Sequence, residues 1–397
     1  MLRLKRALIA AVLASAAVTG TAGWATASEQ TPVTGPPPGT AAWLHDRTSG
    51  SRPPDPATAA PAAVAAYFGA LTDAEQRTLA ARHPLVVGNL DGAPIALRYT
   101  ANALALADER RRELDRAADP ALTAQDHAAA RDRAARYAAL LRPGRQILAF
   151  DPRGRGQVAE VYGDLAAASR VAVVVPGSDI DLASYDRQRD PYGTPAGMAQ
   201  ALRQRMAQAA PGTPTATVAW VGYTTPVGLG VDAATARLAR AGAPRLERFL
   251  AGLAAGTTPA APPPAVFCHS YGSVLCGIAA PGLDPGEASD LVVLGSPGMH
   301  ADHAAGLGTA VRIWAARDAS DWIRRVPHLS FAGLGHGADP AAPAFGARVV
   351  AADRAHGHTG YFAPGTDSLA NFAEIALGDY PAVNCAATDQ ECRHDLV

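Results

Sequence analysis

The sequence predicts a doubly wound α/β fold built on a mostly parallel sheet. Three observations predict it. Val171-Ala172-Val173-Val174-Val175 is an unbroken apolar run, the pattern of a strand covered on both faces. From Gln146 onward, short apolar strands alternate with amphipathic helical stretches, which is the βα order of such sheets. The 397 residues are 48% hydrophobic and 18% charged, a globular composition.

The N-terminus reads as an export signal. Arg3, Lys5 and Arg6 precede the apolar run Ala7–Val18, and Ala25-Thr26-Ala27 forms an A-x-A cleavage site, making Ser28 the new terminus. Residues 28–60 are rich in Pro, Gly, Thr and Ser and predict a flexible lead-in. Residues 61–145 predict a helical segment. Thr72-Asp73-Ala74-Glu75 is a capping box, and helices are expected near Ile95–Ala117 and Ala124–Leu141.

Gln146–Phe150 and Gln157–Tyr162 predict a β-hairpin that opens the sheet domain at 146–380. After the Val171 strand come a helix near Ala196–Ala209, strand Thr215–Val221, a helix near Ala233–Leu253 and strand Ala265–Cys268. A helix from Tyr271, strands Leu291–Leu294 and Val311–Ala315, and a last helix near Ser368–Leu377 complete the order. Residues 381–397 form a tail in which Cys385 and Cys392 are expected to be disulfide-bonded, while Cys268 and Cys276 read as buried free thiols. Phe249–Leu283 lacks charged residues but carries five prolines, so no membrane-spanning helix is expected in the mature chain.

Composition removes several function classes. The formal net charge is −1, without the basic surplus a nucleic-acid binder needs. Lys5 is the sole lysine and lies in the expected signal. Lysine Schiff bases, Ser–Lys dyads and Walker A loops are therefore not expected in the mature chain.

Cys268-His269-Ser270-Tyr271-Gly272 carries the strongest chemical signal. An apolar strand enters it and a small-residue helix leaves it, as in a nucleophile elbow, which lifts one serine above a sheet. Cys268 stands where such turns usually have glycine. Serine needs a base oriented by an acid, in chain order Ser, acid, His. Asp321 is the expected acid, with Asp318 the alternative; both follow the strand Val311–Ala315. His358, in a glycine-flanked loop before the last helix, is the expected base, with His336 and His356 competing. The backbone N–H groups of Tyr271 and of Ser178, after Pro176-Gly177, are the expected oxyanion donors.

Several segments together resemble an actinobacterial family of secreted α/β-hydrolases, long catalogued as a domain of unknown function. They are Gly88-Asn89-Leu90-Asp91-Gly92, Phe150-Asp151-Pro152-Arg153-Gly154, Val174-Val175-Pro176-Gly177 and Ala219-Trp220-Val221-Gly222-Tyr223, then His269–Ser273, Leu294-Gly295-Ser296-Pro297-Gly298 and His358-Thr359-Gly360-Tyr361. The resemblance implies an α/β-hydrolase fold with Ser270 as nucleophile. The expected activity is a secreted serine esterase or lipase acting on a small-molecule or lipid ester, with no cofactor and no nucleic-acid partner. The expected rivals are an acyltransferase using the same triad and a non-catalytic envelope binding protein on this scaffold.

Other signals are weaker. Gly228-Leu229-Gly230-Val231-Asp232-Ala233 matches a dinucleotide fingerprint but lies too far from its strand. Asp179, Asp181 and Asp186 read as a solvated acidic loop, and His300 and His303 lack the partners of a zinc site.

Overall fold

The computed structural model describes residues 29–256 and 261–396. The expected export signal at 1–27 lies outside them. Among the described residues there are ten strands: β1 (Gln146–Asp151), β2 (Gln157–Tyr162), β3 (Arg170–Val175), β4 (Thr215–Val221), β5 (Ala265–His269), β6 (Asp290–Leu294), β7 (Arg312–Ala316), β8 (Ser330–Phe331), β9 (Leu334–Gly335) and β10 (Arg348–Val350). Eight form one sheet in the order β1-β2-β4-β3-β5-β6-β7-β10, and β8 and β9 form a separate small hairpin. The β1–β2 and β2–β4 pairs are antiparallel, and every later pair of the large sheet is parallel. The fold is an α/β-hydrolase-type doubly wound sheet opened by a hairpin.

The helices are α1 (Thr40–His45), α2 (Pro61–Gly69), α3 (Asp73–Arg82), α4 (Pro84–Gly88), α5 (Ile95–Ala118), α6 (Ala124–Leu140), α7 (Pro195–Ala209), α8 (Val231–Ala234), α9 (Arg237–Gly256), α10 (Gly272–Ala279) and α11 (Asp367–Leu377). The run of five apolar residues in β3 follows from burial on both sides. Val171, Val173 and Val175 pack into the core beneath α9 and α10. Ala172 and Val174 pack into the core beneath α7 and α11, with Met198, Leu202 and Phe372. On α9, Leu246, Phe249, Leu250 and Leu253 recur at helical spacing and fill the first of these cores. The helices α5 and α6 close the hairpin end of the sheet, where Leu106, Tyr137 and Leu140 meet Ile147, Phe150 and Val158.

Two expectations are corrected. The lead-in is packed rather than flexible. Trp43 of α1 is 0% exposed, its indole N–H donates to the Pro54 carbonyl, and it joins Phe68, Leu79 and Val86 in a separate cluster. Further upstream, the Val33 N–H donates to the Thr224 hydroxyl. A Pro-rich composition hides this because one aromatic anchor suffices to dock a chain already stiffened by proline.

Cys268 and Cys276 are bonded to each other rather than free thiols. Helix α10 folds back over β5, which brings the two Cα atoms to 6.5 Å although eight positions separate them. The strand β10 left no sequence signal, since only three residues pair with β7. Its outer side is bridged at Val350 to Cys385, which forms a second disulfide with Cys392. That tail therefore covers what would be an open sheet edge.

Replacing Trp43 with alanine is expected to cost about 3 to 5 kcal/mol, as large-to-small changes in a packed cluster do. Urea unfolding of Trp43→Ala measures it; a midpoint equal to that of the unmodified chain would show that the segment is not docked.

Candidate active site

The site forms where the C-terminal ends of β3, β5 and β7 come together. Strand β5 ends at His269, Ser270 turns the chain, and α10 begins at Gly272. Ser270 has φ of 54°, a left-handed conformation that a non-glycine residue adopts only when its surroundings enforce it. Its N–H donates to the Leu294 carbonyl of β6. A second constraint comes from the loop after β3. A methyl group at Gly272 would lie 2.7 Å from the Pro176 carbonyl oxygen, and one at Gly177 would lie 2.6 Å from Ser270 Cβ. The elbow and the loop can approach this closely only because both positions are glycine.

The imidazole of His358 reaches Ser270 from a turn just before the final helix. Its Nε2 lies 2.8 Å from Ser270 Oγ, and its Nδ1 lies 2.9 and 3.1 Å from the two oxygens of Asp321. Asp321 is 0% exposed. One of its oxygens accepts the N–H of Ile323 and the other the Tyr361 hydroxyl at 2.6 Å. Burial alone would raise the Asp321 carboxyl pKa. The hydrogen bonds from His358, Tyr361 and Ile323 outweigh that and hold it below the ordinary value. The ionised acid thus accepts the Nδ1–H hydrogen bond, which keeps the proton on Nδ1 and leaves Nε2 free to accept from Ser270.

The alternative acid, Asp318, is buried but does not touch His358. Its Oδ1 accepts the N–H of Ser320, the Ser320 hydroxyl and the N–H of Gly357. It orders the loop that carries His358. Of the competing histidines, His336 is bonded through Nε2 to the Ala233 carbonyl, and His356 is exposed. The Tyr271 and Ser178 N–H groups have no acceptor among the described residues, and both belong to the segments that pass on either side of Ser270.

Sequence reading assigned no role to two residues of the site. Tyr361 joins the two acids, donating to Asp321 and accepting the Asp318 N–H at 3.0 Å. His269 lies behind the base: its ring centre is 4.8 Å from that of His358, and its Nε2 is 2.7 Å from the His358 carbonyl. Because a carbonyl only accepts, Nε2 carries the proton. Burial first, and the neighbouring His358 second, push the His269 pKa down to about 3. Both residues stood inside the motifs quoted above, yet nothing local distinguished them from ordinary core side chains.

The weaker signals resolve into local structure. The Gly228 N–H donates to the Asp179 carboxylate, Asp181 pairs with Arg155, and Asp186 pairs with Arg136 and Arg145. Arg240 donates to His300, and His303 accepts from the Gly306 N–H in a local cap.

Residues 151–331 match the family model described as "Alpha/beta hydrolase". This segment belongs to an α/β-hydrolase family. The chain is similar to a protein of Mycobacterium tuberculosis, named as uncharacterized, at 29% identity over 396 residues, covering 86% of this chain and 59% of that protein. A protein of Mycobacterium bovis, also named as uncharacterized, is 35% identical over 186 residues, covering 44% of this chain and 66% of its own. The chain thus spans 59% of the length of the first of these relatives. The matched segment contains both Ser270 and Asp321.

His269 gives the protein a measurable acid sensitivity. In the unfolded chain it titrates near ~6.5; in the folded chain it does so at about 3. Between those values the unfolded state binds a proton that the folded state refuses, so stability falls as pH drops through that window. Denaturant titrations of His269→Asn should show a slope against pH smaller by roughly one proton. Equal slopes would mean that His269 is charged in the folded state.

Proposed function

We propose that the protein is an exported serine hydrolase that cleaves carboxylic esters through an acyl-enzyme. The observation that carries this reading is the continuous hydrogen-bonded line Ser270–His358–Asp321 on an elbow serine of positive φ. Ser270 Oγ attacks the ester carbonyl carbon while His358 Nε2 takes its proton. Asp321 holds the other ring proton and stabilises the imidazolium. The N–H groups of Tyr271 and Ser178 receive the oxyanion. The imidazolium then protonates the departing alkoxide, and the alcohol leaves. Water next attacks the acyl-enzyme, giving its proton to His358, and the imidazolium returns a proton to Ser270 Oγ as the acid departs.

An apolar ester suits the surroundings. Trp322 lies with its ring centre 4.8 Å from that of His358 and is 42% exposed. The hairpin β8–β9 presents Phe331 at 73% and Leu334 at 53% exposure, and Leu334 bridges Thr235, four positions after the exposed Val231. Neighbouring exposed apolar side chains of this kind mark surfaces that meet an apolar ligand or interface. Export agrees with the two disulfides, which persist in oxidising compartments. No helix among the described residues is long and apolar enough to cross a membrane.

A fluorophosphonate probe should label the protein, and Ser270→Ala should abolish labelling; labelling that survives the substitution would place the nucleophile elsewhere. With p-nitrophenyl butyrate, Asp321→Asn should lower kcat by roughly 10³- to 10⁴-fold. Asp318→Asn should lower it far less, since that side chain supports a loop. The reverse order would transfer the acid's role to Asp318.

A further inference from the structure

Away from the Ser270 cluster, the hairpin end of the sheet encloses a cavity of about 370 Å³. None of Ser270, His358, Asp321, Tyr271 and Ser178 lines it. Its wall instead takes Asn89 and Asp91, Phe150 and Asp151, and Trp220 and Gly222. These come from three of the sequence segments that carry the family resemblance but supply nothing to the catalytic cluster.

The polar groups on this wall are incompletely matched. Gln157, at the start of β2, is 3% exposed and lines the cavity, and neither its amide oxygen nor its amide nitrogen has a hydrogen-bond partner. Burying an amide without partners is unfavourable, so a completed site should supply them. One terminal nitrogen of Arg248 is likewise buried and without a hydrogen bond.

Charge is also unbalanced. Asp91 is held by Arg98 at 3.1 Å, with Arg248 at 3.8 Å. Asp151 is gripped from outside the cavity by Arg153 at 2.7 Å. Arg245, on the same face of α9 as Arg248, lines the cavity and makes no hydrogen bond or ion pair among the described residues. Asp151 and Asp91 attract its charge, but each already pairs with another arginine, so the wall keeps a surplus of positive charge. The rest of the wall is largely apolar and includes Trp220, Phe249 and, from the docked N-terminal segment, Pro36 and Pro37.

We propose that this cavity is a second ligand site, which binds a small organic oxyanion: a carboxylate or phosphate group against Arg245 and Arg248, and a flat apolar body against Trp220 and Phe249. The guanidinium groups match planar or tetrahedral oxyanions in charge and geometry. Gln157 adds one donor and one acceptor to fix the orientation. The volume falls in the range of small-ligand sites.

Benzoate and phenyl phosphate serve as probes, with benzyl alcohol as the neutral control, all at constant ionic strength. Calorimetric titration of the full chain should show saturable binding of at least one of the two anions and none of benzyl alcohol. Which anion binds separates carboxylate from phosphate. Arg245→Gln should weaken that binding by tenfold or more (about 1.4 kcal/mol), and Gln157→Leu should weaken it while keeping the circular dichroism spectrum. The second variant decides the matter if Arg245→Gln fails to fold. Fluorophosphonate labelling of Ser270 should proceed unchanged with the anion bound, and a protein that never labels would still report on this cavity through calorimetry. No saturable binding of either anion, equal binding of benzyl alcohol, binding unaffected by both substitutions, or loss of labelling in the presence of the anion would each overturn the proposal.

Discussion

The left-handed backbone at Ser270 is the constraint on which the site depends. A serine at φ of 54° is strained, and it stays there because three neighbours leave it no alternative. The N–H of Ser270 is drawn to β6, Gly272 lets the helix begin against the β3 loop, and Gly177 lets that loop pass beside the Ser270 side chain. The Cys268–Cys276 bond ties the strand before the turn to the helix after it. The strain at one residue is therefore carried by packing across three strands. It lifts Oγ clear of the sheet and turns it towards His358.

The second half of the site works by a chain of buried hydrogen bonds. Asp321 would be costly to bury as an isolated charge. It is ionised because the imidazole, the Tyr361 hydroxyl and a backbone N–H share its two oxygens. Tyr361 in turn accepts from Asp318, whose carboxylate holds the turn at Gly357. The two acids that compete on sequence grounds thus act on one loop from two directions, one on the ring of His358 and one on the backbone before it. On its other side, neutral His269 donates to the His358 carbonyl, so the base is fixed at ring and backbone alike.

What was legible in the sequence was what local chemistry demands. The β3 run is apolar at every position because both faces are covered, and that pattern can be read without coordinates. The elbow was legible because strand, serine, glycine and helix follow one another within a few residues. Position after a late strand suggested Asp321, and a glycine-flanked loop suggested His358; the structure brings both to Ser270. Illegible features depend on contacts between distant segments. Trp43 sits in a stretch whose composition suggests freedom, and its burial is decided by helices that follow it. The bond between Cys268 and Cys276 requires knowing that α10 doubles back on β5. His269 and Tyr361 look like core residues until the loop bearing His358 is placed against them. The unmatched Gln157 amide stands out only once three distant segments are seen to share a cavity.

The central claim is that Ser270 forms a covalent acyl intermediate whose formation depends on His358. Rapid acid quench of a reaction with p-nitrophenyl butyrate, followed by peptide mass mapping, tests it directly. A butyryl adduct is expected on the peptide containing Ser270, formed by the unmodified protein and lost in His358→Ala. An adduct on another residue, or ester turnover with no adduct under conditions that trap acyl-enzymes, would contradict it.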